Sequence, residues 1–155
     1  MEIIPAERLA EIKREKSFLE DKLKVTIKPR KKAVEIDGDP LDEYEASIVI
    51  EAIGFGFPAR LAIMIKEEDI LFRKLNIKDF SRRKNMKEVR SRVIGTRRST
   101  LDTIEEISGC KIRLKNNELG IIGNAEDIET AIQGLINLVR GSKQSNVYRF
   151  LERNK

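Results

Sequence analysis

An α+β fold of two tandem modules, each a three-stranded sheet covered on one face by helices, is the architecture that this 155-residue sequence predicts. Three observations carry it. A strand, strand, helix unit occurs twice, helical sequence precedes each copy, and the excess positive charge lies only in the second half. The modules divide at 1–68 and 69–155.

In the first copy, residues 6–23 read as one charged helix with Leu9, Ile12, Phe18, Leu19 and Leu23 on its apolar side. Lys24-Val25-Thr26-Ile27-Lys28 then alternates polar and apolar residues, as a half-buried strand does, and Ala33 to Ile36 supplies a second strand. Asp39 precedes Pro40, whose fixed φ suits a first helical position, so a helix starts there. Its apolar residues Leu41, Tyr44, Ile48 and Ala52 run to the breaker Gly54-Phe55-Gly56-Phe57-Pro58.

The second copy begins with a strand-like stretch, Leu71 to Phe80, and a basic helix around Asn85 to Ile94. A loop, Gly95-Thr96-Arg97-Arg98, leads to a helix from about Ser99 to Ile107, ended by Gly109. Lys111-Ile112-Arg113-Leu114-Lys115 repeats the alternation of Lys24 to Lys28, and Leu119 to Ile122 repeats the second strand. Asn124, followed by Glu126 and Asp127 at the positive end of the helix dipole, opens a helix with Ile128, Ala131, Ile132, Leu135, Ile136 and Val139 on one stripe. After Gly141, Val147-Tyr148-Arg149-Phe150-Leu151 is dense enough in apolar residues to form a docked terminal helix.

Composition bounds the function. With no His and a single Cys, at Cys110, the chain lacks imidazole acid–base chemistry, Ser-His and Cys-His nucleophile pairs and multi-ligand zinc sites. No catalytic site, metal or other cofactor is expected; the clustered carboxylates Glu67-Glu68-Asp69 and Glu105-Glu106 read as helix ends and solvated faces. No apolar run is long enough for a membrane span, and the first residues lack the pattern of a secretory signal, so a cytoplasmic protein without membrane contact is expected. The net charge of +5 divides into −2 over residues 1–80 and +7 over residues 81–155. Arg82, Arg83, Lys84, Lys87, Arg90, Arg92, Arg97 and Arg98 stand against one acid, Glu88, which makes a local field that attracts polyanions.

A turn that places a Gly, basic side chains and the start of a helix in one spot is a phosphate clamp in physical terms, because free backbone N–H groups and the helix dipole both face the anion. Gly95 permits the turn, Arg97 and Arg98 add paired donors, and Thr96, Ser99 and Thr100 add hydroxyls. The segments Val93-Ile94-Gly95-Thr96-Arg97-Arg98, Gly109-Cys110-Lys111-Ile112 and Ile122-Gly123 resemble the KH family, whose modules place I-G-x-x-G between two helices. The resemblance implies type I KH-like modules that hold about four nucleotides of single-stranded nucleic acid. Its expected contacts are Arg90, Arg92, Ile94, Gly95, Thr96, Arg97, Arg98 and Ser99, with Lys111 and Arg113 on the neighbouring strand.

The tandem arrangement, Ile121-Ile122-Gly123, and the ending Gly141-Ser142-Lys143 with Val147-Tyr148-Arg149-Phe150-Leu151-Glu152-Arg153 resemble archaeal members of the Partner of Nob One family. That resemblance implies a factor of small ribosomal subunit assembly acting at the 3′ end of the small-subunit rRNA. The partners it implies are single-stranded rRNA, the Nob One endonuclease and the alpha subunit of translation initiation factor two. Two departures stand out: Arg98 occupies the second Gly position of the family loop, and the first copy has no Gly loop, which makes it structural. A protein-interaction scaffold that docks an assembly or initiation partner is the alternative reading.

Overall fold

The computed structural model describes residues 1–155 and divides into two compact units, Met1–Ile70 and Leu71–Lys155. Each is an α+β unit, and the element order is the same in both. The first runs β1 (Glu2–Pro5), α1 (Leu9–Arg14), α2 (Lys16–Leu23), β2 (Thr26–Arg30), β3 (Ala33–Asp37), α3 (Pro40–Gly54) and a short α4 (Ala59–Ala62). The second runs β4 (Ile70–Asn76), α5 (Met86–Ile94), α6 (Ser99–Ser108), β5 (Lys111–Lys115), β6 (Glu118–Asn124), α7 (Ala125–Arg140) and α8 (Gln144–Arg153). The strand orders, β1-β3-β2 and β4-β6-β5, are equivalent.

The repeat extends to individual contacts. Ile27 pairs with Ile36 across the first sheet, as Ile112 pairs with Ile121 across the second, and all four are fully buried. The Glu20 carboxylate accepts from the Ile27 N–H at 2.8 Å, and the Glu105 carboxylate accepts from the Ile112 N–H at 2.7 Å. In each unit the last helix before the paired strands is thus tied to the strand it feeds. Lys24 and Gly109 both end that helix in the left-handed conformation, with φ 60° and 76°. Gly38 and Gly123 hold equivalent places too. A Cβ at Gly38 would stand 3.0 Å from the Lys24 carbonyl, and one at Gly123 would stand 2.4 Å from Cys110 Sγ. These glycines let β3 and β6 pass close to the neighbouring chain.

Four expectations need correction. Residues 6–23 are not one helix: β1 adds an edge strand before it, antiparallel to β3, and Glu15 (φ −101°, ψ 15°) separates α1 from α2. Leu41 and Tyr44 do not face the core but stand 67% and 63% exposed, because α3 buries Ala46, Val49, Ile50 and Ile53 instead. Asp39 and Asn124 occupy N-cap positions, but their side chains make no cap bond. Ahead of α3, the Gly38 N–H donates to the Glu43 carboxylate, 3.0 Å away. The strand written as Lys24 to Lys28 begins at Thr26.

The second core gathers Ile104, Ile112, Leu119, Ile121, Ile128, Leu135 and Leu138, with Val147 and Leu151 from α8. Gly134 makes the docking of α8 possible, since a Cβ there would stand 2.9 Å from Leu151 Cδ2. No helix is long and apolar enough to cross a membrane.

Candidate nucleic-acid interface

Asn85 caps α5 through its side-chain oxygen, which accepts from the Glu88 N–H at 3.3 Å. The helix buries Val89 and Val93 and leaves Lys87 exposed, with Arg82, Arg83 and Lys84 exposed ahead of it. Ile94 is partly buried against the core and anchors the start of the loop. Gly95 turns the chain at φ 78°, ψ 170°, and a Cβ there would lie 2.3 Å from Thr100 Oγ1 and 2.7 Å from Thr100 N. Glycine is therefore required twice over, by conformation and by space. Arg97 and Arg98 follow in the left-handed region, with φ 53° and 64°, and α6 starts at Ser99.

The two arginines of the loop do different things. Arg97 and its neighbours Thr96 and Ser99 are exposed, and no ion pair engages the Arg97 guanidinium. Arg98 folds back onto its own module. Its guanidinium donates to Asp102, to both oxygens of Glu105 at 3.2 Å, and to the Ile112 carbonyl. The bonds to Glu105 outweigh partial burial, so Arg98 holds its proton more tightly than a free arginine. Arg113 reaches the same carboxylate at 3.3 Å and the Ile112 carbonyl at 3.0 Å. Glu105 thus joins loop, helix and strand. Glu105 on the N–H and the two arginines on the carbonyl leave both backbone groups of Ile112 satisfied on the outer strand β5.

The other expected contacts split in the same way. Arg90 donates to the Asn117 side chain in the β5–β6 turn, and Arg92 donates to the Ser142 carbonyl after α7. Lys111 is exposed on β5. The structure brings Gly95, Thr96, Arg97 and Ser99 to one exposed turn, whereas Arg90, Arg92, Arg98 and Arg113 are committed to bonds within the module. Sequence reasoning missed Glu105 as the hub of that arrangement. Its available signal was its place seven residues before Ile112, matching Glu20 before Ile27.

At the matching junction of the first unit, α4 occupies the surface. Buried Glu11 accepts from the Ala59 N–H at 2.9 Å, Glu15 meets Arg60 at 3.5 Å, and the Arg60 guanidinium lies 4.2 Å above the Phe18 ring. Arg14 pairs with Glu11. This junction has no glycine turn, and its loop-side groups Glu11, Glu15 and Phe18 are engaged by α4.

A module with this element order, sheet order and Gly turn is a KH domain of type I, and residues 71–155 match the family of the second KH domain of PNO1 proteins, described as a eukaryotic type KH-domain (KH-domain type I). The chain belongs to that family. It is similar to Dim2p from Pyrococcus horikoshii OT3, with 30% identity, 98% of each chain covered and a TM-score of 0.87. The chain in the a/eIF2alpha-aDim2p-rRNA complex of the same organism is 30% identical with a TM-score of 0.86, over 98% of this chain and 92% of that one. A KH domain-containing protein of Methanocaldococcus jannaschii is 28% identical over 118 residues, 76% of this chain. The chain spans about half the length of that curated relative.

Proposed function

We propose that this chain is an RNA-binding factor of small ribosomal subunit assembly that clamps single-stranded rRNA, from the 3′ end of the small-subunit rRNA, through its second KH module. The observation that carries the reading is the Gly95 turn, pressed onto Thr100 and presenting the uncommitted Arg97 at the start of α6. The N–H groups of Gly95, Arg98 and Ser99 bond to the Ser91, Gly95 and Thr96 carbonyls, so phosphate is met by the Thr96 and Arg97 N–H groups, and Lys111 lies on the strand beside the turn. The first module, 1–68 in the sequence reading, is a KH-like scaffold without a clamp, and 69–155 is the binding module. The solved complex of the similar aDim2p with rRNA and a/eIF2alpha supports both an RNA and an initiation-factor partner. The Nob One endonuclease is the partner that rRNA 3′-end maturation adds. Binding, not catalysis, is the activity.

Titration of a labelled single-stranded oligonucleotide from the rRNA 3′ end at two salt concentrations tests this reading. Affinity should fall steeply with salt in the native chain and fall less steeply in Arg97→Ala, by roughly 0.7 in log–log slope for one lost phosphate contact. The internal neutralisation of Arg98 favours a second reading, a protein-docking scaffold. Equal affinity and equal slope for native and Arg97→Ala protein would make that the better account.

A further inference from the structure

Both flanks of the Gly95 turn are bonded to the same distant segment, the turn between α7 and α8. Before the loop, Arg92 donates to the Ser142 carbonyl. After it, Gln144 Nε2 donates at 2.9 Å to Thr100 Oγ1, the hydroxyl that lies under Gly95. Lys143 is the one residue between these anchors. Its backbone is extended at the N-cap of α8 (φ −64°, ψ 143°), and its side chain is exposed and in no ion pair. The turn cannot swing away, because Gly141 closes α7 at φ 114° and α8 buries Val147 and Leu151 behind it. Residues 141–146 include no acid, so nothing in the turn itself offsets the lysine charge.

We propose that the α7–α8 turn is an outer wall of the RNA site, with Lys143 binding the phosphate of a nucleotide next to those held by the Gly95 turn. The inference rests on the RNA-binding reading above. Its physical basis is placement: two hydrogen bonds fix the turn that carries an uncommitted lysine beside the loop, so no loop ordering opposes its contact with the strand. A point charge on a flexible stem suits a backbone contact without base preference.

The test compares native, Lys143→Ala, Lys143→Arg and Arg97→Ala full-length proteins on a strand of about four nucleotides, the length one KH module holds, and on a longer strand. Lys143→Ala should weaken binding to the longer strand by about fivefold and flatten its log affinity–log salt slope by roughly 0.7, leave the short strand unchanged, and be rescued by Lys143→Arg. If Lys143→Ala binds the longer strand with native affinity and slope while Arg97→Ala loses both, the turn is only a brace and the proposal is overturned. If Arg97→Ala also binds normally, the RNA-binding reading falls and takes the proposal with it. Lys143 is exposed, so an unchanged thermal midpoint separates any loss from unfolding.

Discussion

Arg97 and Arg98 are adjacent, both arginine and both in the left-handed region, yet their side chains stand in opposite electrostatic conditions. The Arg97 charge is available to a polyanion, whereas that of Arg98 is spent on Asp102 and Glu105. Arg97→Ala should cost about tenfold in RNA affinity, or 1.4 kcal/mol, with a flatter salt slope. Arg98→Ala should leave the slope unchanged and instead lower the unfolding free energy by about 1–2 kcal/mol, read by urea denaturation, because charge-assisted bonds to a half-buried partner are lost. Arg98→Gly loses the same bonds but relieves the left-handed backbone by about 1 kcal/mol, so it should be the more stable of the two variants. Cys110 is fully buried. Burial raises its thiol pKa, so even at mildly alkaline pH the thiolate is scarce as well as inaccessible. Iodoacetamide should label it only in denaturant; rapid labelling of the native chain would refute the buried placement.

At the scale of elements, the two units share one device and load it differently. Glu20 serves a single backbone N–H on β2, whereas Glu105 serves the N–H of Ile112 and two guanidinium groups. Replacing either glutamate by Ala leaves a strand N–H without its acceptor, but the second change also takes a shared carboxylate from two partly buried arginines, of which Arg98 keeps only Asp102 as an ion-pair partner. Glu105→Ala should therefore destabilise by about 1–2 kcal/mol more than Glu20→Ala. Equal losses in chemical denaturation would show that the arginines contribute nothing to the joint. The same variant should also weaken RNA binding, although it removes a negative charge from the site's surroundings. A purely electrostatic account predicts the opposite sign.

For the whole molecule, charge and surface are divided between the units. The first 80 residues are net negative, and the junction of α1 with α2 is covered by α4 through Glu11, Glu15 and Phe18. Neutralising Lys13, Arg14 and Lys16 together in the full chain should change oligonucleotide affinity by less than about threefold, or roughly 0.7 kcal/mol. A larger loss in the same titration would place half of the site in the first unit. The two copies thus keep one fold while only the second keeps an open turn, a division that fits a scaffold module joined to a binding module.

Local signals were legible in the chain alone. The period-two strands, the stripe of α7, the breakers at Gly109 and Gly141 and the Gly95 turn are written within a few residues of where they act. The membership in a KH family was legible for the same reason, since its motif is contiguous. Strand β1 was not, because four residues ending in Pro5 carry too little alternation, and only pairing with β3 makes them a strand. Nor was the exposed face of α3: Leu41 and Tyr44 are apolar at helical spacing, but the sheet lies against the Ala46, Val49 and Ile53 side. The fates of the arginines were decided by the tertiary structure alone. Arg92 meets Ser142 and Thr100 meets Gln144 across spans of 50 and 44 residues, and Arg98 meets Ile112 only once α6 and β5 have packed. Composition puts cations near a loop, but which of them stay free depends on the acceptors that folding brings within hydrogen-bond reach.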